Sequence, residues 1–342
     1  MIETLQSLRI VFSLTVMLAH FSYAGIEGHS TGVGPMFFML MTGFVMSKSY
    51  GIKVLDGTFK YGQYLLCRLF KFYPLHLLCL LLVVVIRRNT MVTEDYESLI
   101  PNILMLQSWI PKQSFYFSGN AVSWYLSDLM FFLLLFPFLY KRIGKMEGRG
   151  LLRLVVCLLL VYVIYVTFLQ VDDLNYWLYV FPPIRLFDFM WGMVMYRCYE
   201  LYPTVGGASS TWKEILLIVG VVLTIVFYPL HDKWHVALIH WLVLVPVVWI
   251  FMQGDKRGGF ISRFLKTRTM VWLGGLTLET YLLHQIIFSI ILHNAEKYHV
   301  QLPYMLMLVL CLGVAILLSW LTHICFVNPI NRKLRLLIIE KK

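Results

Sequence analysis

The chain has 342 residues, of which 59% are hydrophobic and only 14% charged, with a formal net charge of +11 and a mean hydropathy of +0.74. A soluble domain carries about 25% charged residues, so this composition excludes an ordinary soluble enzyme and reads as a chain lying mostly in lipid. The basic excess does not read as a nucleic-acid surface either, because of where those residues fall along the chain.

Ten hydrophobic segments follow one another, at roughly 8–24, 33–49, 64–86, 121–140, 151–170, 176–197, 212–230, 234–252, 271–292 and 302–325. Most approach the roughly 20 residues that a bilayer-spanning helix needs. None alternates as the strands of a membrane barrel would. The expected fold is an all-α polytopic membrane protein of about ten transmembrane helices. It is expected to form a single integral-membrane domain over 1–342, with no soluble domain appended. The first segment is expected to be a retained span rather than a secretory signal. Glu3 and a single Arg9 precede it, and no clear small-residue cleavage site follows. With the N-terminus in the cytoplasm, the inner segments hold 23 of the 29 basic residues, from Arg9 through Arg68 and Arg142 to Arg263 and Arg332. That bias is the positive-inside rule, and it puts both termini in the cytoplasm. The six cysteines lie in or beside the spans without a C-x-x-C pair. They read as small apolar residues, with neither disulfide nor metal expected.

Ionisable residues inside spans are costly and mark functional hypotheses. In the first segment, Arg9 and His20 are separated by ten residues. Eleven steps of an α-helix make about 1100°, close to three turns, so both side chains share one face about 16 Å apart along the axis. The third segment opens with Arg68 and Lys71, one turn apart, which suits either topology anchoring or a phosphate site at the inner membrane edge. The loop 87–120 contains Glu94, Asp95 and Glu97, then an apolar stretch 99–110 too short to span, expected to lie at the outer surface or to re-enter. The fourth segment opens with Trp124 and Asp128 at i and i+4. The sixth contains Pro182 and Pro183, expected to kink it, and the pair Arg185 and Asp188. The ninth contains Glu279 and His284. Such convergence points to a polar chamber within the bundle, which an enzyme and a transporter would both show. Aromatic residues near the outer side, Tyr176, Trp177, Tyr179 and the His231, Asp232, Trp234 turn, are candidates for a sugar platform or simply interfacial anchors.

The opening LQSLRIVFSLTVMLAHF resembles the first helix of the acyltransferase 3 family, integral-membrane O-acyltransferases in which a basic residue, ten residues and a histidine stand as Arg9 and His20 stand here. GPMFFMLMTGFVMS resembles the second helix of that family, CRLFKFYPLHLL its basic third-helix motif, and SWYLSDLMFF its fourth-helix tryptophan motif. RLFDFMWGM, LGGLTLETYLLHQ and NPINRKL resemble the sixth helix, the ninth helix and the tail after the tenth. The ordered set covers nearly the whole chain. Gln6-Ser7, Lys71 and Asn328 depart from the commoner residues at their positions.

The resemblance implies transfer of an acyl group, most often acetyl, from acyl-CoA to a sugar hydroxyl of a cell-surface or secreted glycan. His20 is then the base, near-neutral titration suiting it to that work, with Asp128 or Glu279 as its orienting acid. Arg9, Arg68 and Lys71 form the cradle for the donor's phosphates. Trp124, Arg185 and His284 are expected at the acceptor. An acyl-His20 intermediate and direct transfer both remain open. The expected partners are the bilayer, a glycan or lipid-linked glycan and, where it self-associates, a second copy, with no nucleic acid and no metal. The expected location is a bacterial cytoplasmic (inner) membrane. The alternative is a transporter of glycan or lipid intermediates that moves its cargo without acylating it.

Overall fold

The protein is described here by a computed structural model covering residues 2–28, 32–202, 210–227 and 240–339, with the side chains of 254–257 and 335–339 excepted. His231, Asp232 and Trp234 lie outside the described residues. In chain order the helices are α1 (Glu3–Ala19), α2 (Val33–Leu55), α3 (Tyr61–Arg87), α4 (Thr93–Ile103), α5 (Gln113–Tyr116), α6 (Trp124–Ile143), α7 (Gly148–Phe168) and α8 (Pro182–Leu201). They continue as α9 (Thr211–Phe227), α10 (His240–Arg257), α11 (Phe260–Leu265), α12 (Arg268–Gly275), α13 (Thr277–Lys297), α14 (Tyr304–Thr322) and α15 (Asn328–Ile339). Among the described residues there is no strand, apart from an isolated bridge between Tyr23 and Ile26.

Among the described residues four helices are long and apolar enough to cross a membrane, Tyr61–Arg87, Ala121–Ile143, Gly148–Phe168 and Tyr304–Leu334, and α12 with α13, bent by 65°, make a fifth if the bent pair is one span. Their outer faces are greasy. Leu152, Val156, Leu160 and Ile164 form an exposed stripe at steps of four along α7, and α14 exposes Met305, Val309, Leu310, Leu317 and Leu321. Apolar surface on this scale is stable against hydrocarbon and not against water. The chain is an integral membrane protein by this criterion.

Two expectations about local structure change. The first apolar segment runs to residue 24, but α1 ends at Ala19. The His20 N–H closes its last turn on the Val16 and Met17 carbonyls, both at 3.2 Å. Beyond it the chain turns back at Ala24 and Gly25, both with positive φ, 54° and 79°. That lets Tyr23 and Ile26 exchange two 3.0 Å backbone hydrogen bonds across a tight turn. In the sixth segment the prolines start a helix rather than kink one. Residues Asn175–Val180 form a π-helical stretch, the chain extends at Phe181, and α8 begins with Pro182 at its first position, where a missing N–H costs nothing.

Contacts divide the chain into two compact units. The first comprises Met1–Leu8, Thr31–Tyr61 and Asp128–Val271. Its centre is the α2–α8 crossing. A Cβ on Gly43 would lie 1.9 Å from the Phe189 carbonyl oxygen, and one on Gly192 would lie 1.9 Å from the Leu40 carbonyl oxygen. The two backbones therefore touch where both residues lack side chains, the packing that small residues allow in membranes. At the end of this unit, the buried Glu214 of α9 caps α11. Its carboxylate accepts from the backbone N–H groups of Gly259, Ile261 and Ser262 at 2.8, 3.0 and 3.2 Å, satisfying donors that a helix start leaves orphaned.

The second unit comprises Arg9–Ser30, Gly62–Ser127 and Trp272–Lys342. Its core helix is α13, beside α14 and the end of α1. The segment between α3 and α6 folds with its apolar side outward. Tyr96, Ile100 and Ile103 of α4 are exposed, while Ser98 and Asn102 are buried. The buried side is hydrogen-bonded: Asn102 Nδ2 donates to Ser118 Oγ at 2.6 Å, Gln107 Nε2 to the Ser123 carbonyl at 3.0 Å, and Ser108 Oγ to Ser127 Oγ at 2.6 Å. Polar groups removed from water need such partners. The apolar stretch in this loop thus supplies a lipid-tolerant cover over a polar lining.

Candidate active site

The end of α1 and the first half of α13 run parallel, joined by two polar contacts. Ser13 Oγ meets Thr280 Oγ1 at 3.3 Å. Further along both helices, His20 Nδ1 meets His284 Nε2 at 3.0 Å, with ring centroids 5.1 Å apart. His284 is fully buried. Its Nδ1 faces the carbonyl oxygens of Tyr281 at 2.8 Å and Thr280 at 3.1 Å, and Phe288 stands edge-on behind its ring at 5.8 Å. His20 is partly exposed. It sits on the C-terminal end of α1, where the helix dipole favours a positive charge.

The same unit contains the basic residues of the proposed cradle. Arg9 lies close enough to Arg68 for the two guanidinium charges to repel, with Tyr125 beside them. Lys71, one turn further along α3, is exposed. The Tyr125 ring packs edge-on against Tyr281 at 5.6 Å, and the Tyr281 hydroxyl donates to the Val122 carbonyl at 3.1 Å. Asn120 Nδ2 donates to the Leu282 carbonyl at 2.8 Å. The start of α6 is therefore fastened to the part of α13 that carries His284. Trp124, at the first position of α6, is buried rather than displayed at an interface.

Glu279 is paired with a residue that the sequence reading did not single out. Its Oε1 lies 2.6 Å from His323 Nδ1, with the Glu279 side chain 3% exposed and that of His323 29%. The signal used for His20, an ionisable group in an apolar run, was present at His323 too. The remaining candidates belong to the first unit. Asp128 is fully buried and lies within electrostatic reach of Tyr176. Arg185 is fully buried, with its Nη1 3.1 Å from Asp188 Oδ2, while Trp241 Nε1 donates to Asp188 Oδ1 at 2.5 Å and Tyr162 lies against the guanidinium. The site residues thus fall into two groups. Arg9, His20, Arg68, Lys71, Trp124, Glu279 and His284 share one unit. Asp128 and Arg185 lie in the other. Among the described residues, no cluster of three or more His, Cys, Asp or Glu side chains is arranged to hold a metal ion.

The model of the acyltransferase domain family matches residues 2–324. The chain belongs to the acyltransferase 3 family. A curated relative in this family's activity class is the acyltransferase MdmB of Streptomyces mycarofaciens, 26% identical over 334 residues that cover 87% of this chain and 80% of that protein. No solved structure matches the chain. Family membership makes the protein a membrane acyltransferase and implies an acyl donor. It also turns the ordered motifs from a resemblance into an assignment of family.

Proposed function

We propose that the protein is an O-acyltransferase of the bacterial cytoplasmic membrane that moves an acetyl group from acetyl-CoA to a sugar hydroxyl of a cell-surface or secreted glycan. The observation that carries this reading is the His20–His284 contact, in a unit that also brings together Arg9 and Arg68. Two guanidinium groups close to one another suit an anion held by both, and the donor's phosphates are such an anion. The spacing of Arg9 and His20 along α1, about 16 Å, suits the thin pantetheine arm that separates those phosphates from the thioester.

In the reaction, His20 takes the proton of the acceptor hydroxyl as its oxygen attacks the thioester carbonyl. The tetrahedral intermediate then collapses, the carbon–sulfur bond breaks, and the proton passes from His20 to the departing thiolate. No net proton is consumed. The imidazolium formed in between lies at the negative end of the α1 dipole. Ten spans with both termini cytoplasmic complete the proposal. The parallel course of α1 and α13 supports it, since the first and ninth of ten spans must run the same way.

Mass spectrometry of surface glycans from cells with and without the protein tests this reading. The expected result is O-acetyl mass increments that vanish with the protein and with His20→Ala. Surface glycans that are unacetylated in cells with the protein, and that no longer reach the surface in cells without it, would instead establish the transporter.

A further inference from the structure

We infer that His284 is a positioning residue that locks one tautomer of His20 and leaves His20 Nε2 as the atom that meets substrate. The inference rests on the reading of His20 as the base. It begins from the backbone. The carbonyl oxygens of Thr280 and Tyr281 lie 3.1 and 2.8 Å from His284 Nδ1. A carbonyl oxygen only accepts, so His284 Nδ1 carries hydrogen and donates to them. His284 is fully buried, and its polar contacts are these two carbonyls and His20. A doubly protonated ring there would be a buried charge with no carboxylate against it, which is strongly disfavoured. His284 is therefore neutral, and its Nε2 holds a lone pair.

That lone pair faces His20 Nδ1 at 3.0 Å. Two lone pairs at this distance would repel, so His20 Nδ1 bears hydrogen and donates to His284. In a neutral imidazole the other nitrogen is then the acceptor. The polar partners of the His20 ring are His284 Nε2, which faces its Nδ1, and the Val16 carbonyl one turn back on α1, and the ring is partly exposed. The chain of donors runs in one direction: His20 Nδ1–H to His284 Nε2, and His284 Nδ1–H to the α13 backbone. The backbone of one helix thereby decides which nitrogen of a side chain on another helix can accept a proton. No acid is needed to orient His20, and neither Glu279 nor Asp128 has to fill that role. His284 accordingly acts on His20 rather than on the acceptor.

The test has two independent readouts on the purified, bilayer-reconstituted protein. Histidine-nitrogen NMR, with the His20 signals assigned by their loss in His20→Gln, should show a protonated Nδ1 and an unprotonated Nε2. In His284→Phe that preference should be lost. In acetyl transfer with acetyl-CoA, measured by thiol release in membranes that contain the native acceptor, His284→Phe should lower kcat by about a hundredfold or more, the scale of general-base assistance, with both KM values nearly unchanged. His284→Gln should recover most of that loss, because its side-chain carbonyl sits where His284 Nε2 sits and accepts from His20 Nδ1–H. A wild-type His20 protonated at Nε2 overturns the lock whatever the kinetics. So does a His284→Gln variant that folds as well as the wild type yet is no better than His284→Phe. If the spectrum shows the stated tautomer but His20→Gln keeps full transfer, the lock stands as structure. The base reading then fails, and with it the positioning role.

Discussion

The His20–His284 pair and the Arg185–Asp188 pair are both polar contacts between residues embedded in apolar helices, and they are built in opposite ways. The arginine and the aspartate are both fully buried, opposite in charge, and one turn apart on α8. Trp241 supplies a further donor to the carboxylate. Nothing in that cluster reaches an exposed surface. The two histidines stand 264 residues apart in the chain on different helices, carry no opposite charges, and leave one ring partly exposed. The first arrangement is charge-balanced and sealed from any exposed surface, although Arg185 Nε, Nη1 and Nη2 are buried without a hydrogen-bond acceptor. The second reaches a partly exposed face, as a group proposed to meet a substrate must. Burial and polarity alone do not distinguish a site from a strut. What differs between these two pairs is whether a polar group reaches an exposed surface.

The largest expected effect lies on the open side. His20→Ala should reduce acetyl transfer by about 10²–10⁴-fold, the contribution typical of a general base, while the protein inserts and melts as the wild type does. Thiol release from acetyl-CoA in reconstituted vesicles reads the first quantity, and detergent-phase thermal unfolding reads the second. Substantial transfer by a well-folded His20→Ala protein would place the chemistry elsewhere.

Next comes the closed side. Arg185→Leu leaves Asp188 as an unbalanced buried charge and should cost about 3–5 kcal/mol of stability, seen as a marked fall in melting temperature. The double change Arg185→Leu with Asp188→Leu should regain most of it, since apolar replacement of a whole buried pair is often neutral. The folded double variant should keep the wild-type acceptor KM. If its acceptor KM rises sharply instead, Arg185 contacts the acceptor and the contrast between the two pairs fails.

These two pairs also show what was legible in the sequence. The α-helical membrane class followed from composition, and the family followed from ordered motifs. Arg9 and His20 stood out because a charge and an imidazole recur on one helical face. The Arg185–Asp188 contact was foreseeable because it is local, i to i+3. The partner of His20 was not, because no periodicity brings residue 284 to residue 20. A carboxylate was the chemical expectation, and the structure supplies a second imidazole with backbone carbonyls behind it. Glu279, the acid on the same helix, pairs with His323. The end of α1 at Ala19 was hidden for a different reason. Apolar residues continue past it, and only the positive φ of Ala24 and Gly25 reveals the turn.

A smaller effect on stability is expected at the α2–α8 crossing. Gly43→Ala or Gly192→Ala adds one carbon where the facing carbonyl oxygen would be 1.9 Å away. The helices must part, at a cost of about 1–3 kcal/mol, the usual range for overpacking. Thermal unfolding measures this, and an unchanged melting temperature would mean that the crossing is looser than described. Transfer per folded molecule should hardly change, because both glycines belong to the unit that lacks His20 and His284.

The smallest effect, and the one that sharpens the picture of the open site, is expected from Arg9→Lys. Arg9 and Arg68 lie within electrostatic reach of one another. If donor phosphates bind between them, a lysine preserves the charge and loses the planar fork that can hold two oxygens at once. The loss of about one charge-assisted hydrogen bond should raise the KM for acetyl-CoA by roughly threefold to tenfold. The acceptor KM and the melting temperature should stay near wild type. Arg9→Met removes the charge as well and should raise the donor KM further. Sensitivity to salt should also fall, since the remaining attraction for the phosphates is weaker. The order matters more than the size of either effect. Donor KM rising from wild type through lysine to methionine is what a phosphate cradle produces. Equal effects of lysine and methionine would mean that Arg9 acts through its guanidinium geometry alone. No change in either variant would remove Arg9 from the donor site and leave His20 as the functional residue on α1.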